Sequence, residues 1–219
     1  MSVVIPASAV LLDMDGTLVD SSAVVERIWG DWALAHGLTP AEVYPVVHGR
    51  QGWQSMEILL PERDVETNHR ENRELLARET VEVEGIVEIR GAGVLLTALA
   101  GHPHALVTSA SQALADARMT AAGLRMPEAA ITAESVTASK PHPEGFLAGA
   151  ALLGVEPADC VAFEDSHAGV AAAKAAGMRV VGVGADAAGH GADWTVADLA
   201  GVRVVARGSG LSIELAEVL

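Results

Sequence analysis

The chain has 219 residues, half of them apolar, which is enough for one large domain, or a core domain with a smaller insertion, around a sizeable core. Its 14 basic and 29 acidic residues give a formal net charge of −15, which argues against nucleic acid or an anionic membrane as the main partner. A single cysteine, Cys160, excludes an intramolecular disulfide; with no basic segment ahead of the first apolar run and no run of membrane-spanning length, the expectation is a soluble, cytoplasmic protein.

The core must be built from Val, Ala and Leu, because the chain holds only four Trp, two Phe and one Tyr. The apolar start leads directly into Ala9-Val10-Leu11-Leu12 and reads as one first strand, of the continuous apolar kind buried on both faces of a parallel sheet. Asp13-Met14-Asp15-Gly16-Thr17 follows it. Residues 21–37 change to helical spacing, with Val24, Val25, Ile28, Trp29 and Trp32 on one stripe. A loop or short helix runs through Thr39-Pro40 to His48-Gly49-Arg50-Gln51-Gly52-Trp53, and the charged stretch 62–84 reads as a solvated helix face. Residues 20–87 are therefore expected to form a small helical domain inserted into an α/β core made of 1–19 and 88–219.

From residue 92 onward strands and helices alternate. Helices are predicted over 92–100, 111–122, 143–153 and 166–176, and strands over 105–107, 130–131, 161–163 and 179–183, the pattern of parallel βαβ units with right-handed crossovers. Asp13 and Asp15, Thr108 and Ser109, Lys140, and Glu164 and Asp165 stand at strand ends or in the loops that follow, so a parallel sheet brings them to one edge, where such sheets bind ligands. Crowded carboxylates repel one another and ionise together only with an outside cation, and the oxygen-rich set Asp13, Asp15, Glu164 and Asp165 suits Mg²⁺. Thr108, the Ser109 N–H and Lys140 are groups that hold an anion. Ordinary alternatives exist: Thr108 and Ser109 as helix caps, Lys140 as a surface residue, Asp165 as an N-cap. Two glycines flank Arg50, which suits a loop reaching toward the core, where Arg50 is either a substrate contact or a solvated arginine.

These motifs, in this order and spacing, resemble those of the haloacid dehalogenase superfamily, and the wording of H-G-R, V-T-S, K-P-H-P-E and F-E-D-S-H-A-G-V is nearest to its sugar- and polyol-phosphate phosphatases. The resemblance implies a Rossmann-like core with a mobile helical cap. It also implies that Asp13 attacks phosphorus to form an aspartyl-phosphate and that Asp15 protonates the leaving alcohol and then activates water. Thr108, Ser109 and Lys140 would grip the phosphoryl group. Mg²⁺ would be held by the Asp13 side chain, the Asp15 carbonyl and Asp165, with Glu164 in the outer shell. The substrate would be a small phosphorylated metabolite, and the protein a monomer or weak oligomer. Rival activities fit less well. Asp15 speaks against a dehalogenase, and the absence of lysine between Leu18 and Glu88 speaks against a phosphonatase. A β-phosphoglucomutase would carry a cap histidine five residues after Asp20, where this chain has Val25. A phospho-accepting signalling domain would be shorter and would lack both the second aspartate and the cap.

Overall fold

The computed structural model describes residues 2–47, 49–207 and 210–219. Its centre is a six-stranded parallel sheet in the order β6-β5-β2-β7-β8-β9, formed by β2 (Ala9–Leu12), β5 (His104–Val107), β6 (Ala129–Ile131), β7 (Cys160–Glu164), β8 (Arg179–Val183) and β9 (Trp194–Val196). The order follows from burial. All four residues of β2 and all five of β7 are inaccessible, so these two strands pair at the middle, Leu11 beside Ala162 and Leu12 beside Phe163. The chain runs from β2 outward through β5 and β6 on one side, then crosses to β7, β8 and β9 on the other. This reversal opens a crevice at the carboxyl ends of β2, β5 and β7. Trimming one of the buried leucines there, such as Leu11→Ala, costs about 2–5 kcal/mol.

The start of the chain departs from the expected single strand. β1 (Val3–Ala7) ends before Ser8 and pairs with β11 (Gly210–Leu215) in a separate antiparallel sheet completed by β10 (Val202–Arg207). Its alternating burial, with Ile5 and Ala7 inside and Val4 and Pro6 outside, marks a one-sided sheet, whereas β2 is buried throughout. The helices of the core, α5 (Ala92–Leu99), α6 (Gln112–Ala121), α7 (Glu144–Leu153) and α8 (His167–Ala175), follow the predicted segments. Ser111 and Ser166 cap α6 and α8 through their hydroxyls, so Thr108, Ser109 and Asp165 are not the caps.

Four helices lie between β3 (Val19–Asp20) and β4 (Val87–Glu88): α1 (Ser22–Ala35), α2 (Pro40–Val47), α3 (Gly52–Leu59) and α4 (Val65–Val81). β3 and β4 pair antiparallel, so the chain enters and leaves this helical cap side by side. Two indole N–H groups of α1 tie it to α4: Trp29 Nε1 donates to Glu79 Oε1 at 3.1 Å and Trp32 Nε1 to Glu71 Oε2 at 2.9 Å. α4 is not simply a solvated face. Asn68, Asn72, Leu75 and Glu79, at spacings of four, three and four, turn inward and are buried. Among the described residues no helix is long and apolar enough to cross a membrane.

Candidate active site

The sheet delivers its polar residues in pairs of adjacent strand ends. The Asp13 N–H donates to Phe163 O at 3.0 Å and the Thr108 N–H to Ile131 O at 2.9 Å, so the ladder continues one residue beyond each strand and fixes both side chains at the crevice. Gly16 then turns the chain with φ +81°, and a Cβ there would lie 1.9 Å from Asp165 Oδ2, so only glycine lets the first loop pass the β7 end. Asp13, Asp15, Thr108 and Ser109 line one cavity of about 130 Å³, and Arg50, Gln51, Asn72 and Glu79 face them from the cap. Arg50 is thus on the cavity wall, while its neighbour His48 lies outside the described residues.

Lys140, Glu164 and Asp165 stand behind that wall. The buried Lys140 ammonium donates to Asp13 Oδ1 at 2.5 Å, to Glu164 Oε1 at 2.6 Å and to Val107 O at 3.0 Å, which uses all three of its protons. Burial opposes its charge, but Asp13 and Glu164 outweigh that and hold Lys140 above the ordinary lysine range. Lys140 is therefore an interior cation, not a surface one. Glu164 is further occupied by the Ser166 N–H at 3.0 Å and the Ser166 hydroxyl at 3.1 Å.

Oxygens of Asp13, Glu164 and Asp165 come within 4.8 Å of one another, and Lys140 pairs with the first two of these carboxylates. Burial and then Glu164 push Asp13 up to about 7 despite Lys140, and burial followed by Glu164 and Asp13 pushes Asp165 well above the usual carboxylate range. A buried all-oxygen set with more negative charge than its lysine neutralises fits a hard divalent cation. The Asp15 carboxylate is not part of this set. Its Oδ1 accepts from the Ser21 hydroxyl at 2.6 Å and its Oδ2 from Arg118 Nη1 at 2.7 Å.

Ser21, Arg118 and Glu79 were not singled out from the sequence. Arg118 adds a second cation to the site beside Lys140. Its Nη2 donates to Glu79 Oε2 at 2.5 Å, and its side chain is buried. Burial works against the charge, yet Asp15 and Glu79 hold Arg118 above its ordinary value; burial likewise raises Glu79 against the pull of Arg118. A signal was present: Arg118 falls on the inward stripe Leu114, Ala115, Arg118, Met119 of α6, where an arginine requires a buried partner. Ser21 occupies the N-cap position of α1 but makes no side-chain cap there, because its hydroxyl is committed to Asp15.

The cap loop is seated on the core. Ser109 Oγ donates to Gly49 O at 3.2 Å and lies 3.2 Å from Ser139 Oγ. Gly49 has φ +75°, and a Cβ there would meet Ser166 Oγ at 2.3 Å.

Comparison with known proteins agrees with this geometry. The family model described as haloacid dehalogenase-like hydrolase matches residues 7–177. Hexitol phosphatase A of Escherichia coli is 45% identical over 179 residues, covering 81% of this chain and 83% of that protein. Glycerol-1-phosphate phosphohydrolase 1 of Saccharomyces cerevisiae is 32% identical, covering 80% and 74%. The solved β-phosphoglucomutase of Clostridium difficile shares the fold, with a TM-score of 0.78 at 22% identity over 89% of this chain and 92% of that one. Two aspartates after a central strand, a buried lysine, an acidic pair on the neighbouring strand and a family match across most of the length lead to one assignment: the chain belongs to the haloacid dehalogenase-like hydrolases.

Proposed function

We propose that the protein is a Mg²⁺-dependent phosphatase that hydrolyses small sugar or polyol phosphate monoesters through an aspartyl-phosphate on Asp13. The observation that carries this reading is the meeting of Asp13, Asp15, Thr108 and Ser109 at one cavity, closed on its far side by cap residues. Lys140 takes Oδ1 of Asp13 and leaves Oδ2 without a hydrogen bond among the described residues, so Oδ2 is the attacking atom. Thr108 and the Ser109 N–H receive the phosphoryl oxygens, and Lys140, whose three protons go to Asp13, Glu164 and Val107, supplies positive charge behind them. Asp15 gives a proton to the departing alkoxide and later takes one from the water that opens the aspartyl-phosphate.

Asp13, Asp165 and the Asp15 carbonyl would hold Mg²⁺, with Glu164 behind them orienting Lys140. Bound there, the ion would keep Asp13 ionised and would shield the phosphoryl charge. Residues 20–87 serve as the cap, joined to the core at β3 and β4, and close to exclude bulk water. The cap side of the cavity mixes Arg50, Gln51 and Asn72 with Val25, Val47 and Leu76, a lining suited to a hydroxyl-bearing carbon chain. The names of the relatives from E. coli and S. cerevisiae support the same substrate class.

The mutase reading requires a cap acid or base where this chain places Val25, a buried apolar residue on the cavity wall. The deciding experiment is phosphate release by the purified protein with Mg²⁺ across a panel of monoesters. Hexitol and glycerol phosphates should be turned over, with no conversion of β-glucose 1-phosphate to glucose 6-phosphate. Failure to hydrolyse any monoester would end the reading, and that conversion would favour the mutase.

A further inference from the structure

The Arg118 guanidinium is a buried core side chain that joins the proton-transfer residue to cap helix α4, whereas Ser21, the other group on Asp15, stands at the start of the cap segment. Arg118 comes from α6 of the core, grips Asp15 after β2 with Nη1 at 2.7 Å, and grips Glu79 on cap helix α4 with Nη2 at 2.5 Å. Glu79 is in turn fixed by the Trp29 indole of α1. Arg118 and Glu79 are 4% and 6% exposed, so neither charge is served by bulk water while the cap is seated. We infer that Arg118 and Glu79 form a positioning pair that fixes the Asp15 carboxylate in its working orientation only when the cap is closed. This deepens the proposed phosphatase reading and rests on it.

The physical argument is one of shared geometry. A guanidinium is a rigid planar fork, so binding Glu79 with one arm sets the plane in which the other arm meets Asp15. The Ser21 hydroxyl on Oδ1 alone leaves Asp15 free to rotate about the Cβ–Cγ bond, and the Arg118 contact on Oδ2 removes that freedom. When the cap lifts, Glu79 departs with α4, and Arg118 is left with Asp15 alone and with solvent to satisfy its second arm. Its Nε already has no partner, so Asp15 and Glu79 provide all of its hydrogen bonds among the described residues. Aligned proton transfer is thereby reserved for the state in which bulk water is excluded.

The test is a kinetic cycle on the full-length protein with Mg²⁺ and a hexitol phosphate, using Glu79→Gln, Arg118→Lys and the double variant Glu79→Gln/Arg118→Lys. Lysine keeps the charge but cannot bridge two carboxylates in fixed planes, and glutamine keeps the shape of Glu79 without its charge. Active sites are counted by phosphoenzyme labelling so that misfolded molecules do not enter kcat. Each single variant should lose about tenfold or more in kcat per active site, a part of the roughly 100- to 10,000-fold that aligned acid–base assistance supplies. KM should stay within about twofold, and the double variant should be no worse than the poorer single one, because the two residues act as a unit. Unchanged kcat per active site in either single variant overturns the inference, and so does a double variant whose losses multiply. A wild-type enzyme that hydrolyses no phosphate monoester defeats the phosphatase reading instead, so the two failures are distinguishable.

Discussion

Among the described residues two buried cations, Lys140 and Arg118, are each shared between two carboxylates, and they are built differently. Lys140 joins Asp13 to Glu164, both at ends of adjacent strands of one sheet, and its third proton is taken by Val107 of a third strand. Arg118 joins Asp15 to Glu79, which lie on opposite sides of the junction between core and cap. The first cluster cannot be taken apart without unmaking the sheet, whereas the second is unmade by lifting α4. On the proposed mechanism a fixed charge would suit Asp13, the group that would bond to phosphorus, and a separable one would suit a step at Asp15 that waits for cap closure.

The largest expected effect breaks the fixed side of this comparison. Asp13→Asn should abolish turnover, a loss on the order of 10⁴-fold or more, as when a covalent nucleophile is removed. The protein should remain folded by circular dichroism, because Lys140 keeps Glu164 as a partner and one buried negative charge is gone. Residual turnover near the wild-type rate would show that another group attacks.

Next in size is Asp15→Asn, which should lower kcat by about 100- to 10,000-fold. With an activated aryl phosphate the first step needs little proton assistance while hydrolysis of the intermediate still needs a base, so phosphoenzyme should accumulate. Rapid-quench labelling that finds no acid-stable, base-labile phosphoenzyme would remove Asp15 from that role.

Metal addition sharpens the contrast through stability. Asp13 has a folded-state value of about 7 against an ordinary 3.8, so between those values the folded protein holds a proton that the unfolded chain has released. The metal-free protein therefore loses stability as pH rises through that window and carries the full penalty above it. Mg²⁺ on the same carboxylates should cancel the penalty, so its effect on Tm should be larger well above pH 7 than near pH 5. At a hundredfold excess over Kd the gain is roughly 2.7 kcal/mol, or about 5–10 °C for a chain of this size. A Tm shift independent of pH, measured by thermal denaturation with and without Mg²⁺, would place the ion elsewhere.

The smallest effect concerns the cap wall. Arg50→Ala should lower kcat/KM several-fold for sugar and polyol phosphates and leave p-nitrophenyl phosphate nearly unchanged, since the chemistry of the small ester is completed by core residues. A uniform loss across substrates would mean that the 49–53 loop supports closure. No loss on any would return Arg50 to the solvent.

The part of the protein that is local in the chain is legible from its residues alone. β2 is a short unbroken apolar run that leads into Asp13 and Asp15, the apolar run of β7 leads into Glu164 and Asp165, and a parallel sheet gathers such ends at one edge. Asp13, Asp15, Glu164 and Asp165 are therefore legible as one group from the residues alone, with Thr108, Ser109 and Lys140 at further strand ends or in the loops that follow. Features that depend on partners distant in sequence emerge only on folding. Ser8 divides the first apolar run between two sheets because β1 finds β11, more than 200 residues later. Glu79 in a charged stretch looked solvated until α4 turned its Asn68–Asn72–Leu75–Glu79 face inward and met Arg118, 39 residues away in sequence, which itself reaches back 103 residues to Asp15. An apolar run declares its burial by its own composition. A charged residue declares it only through the opposite charge that folding sets beside it.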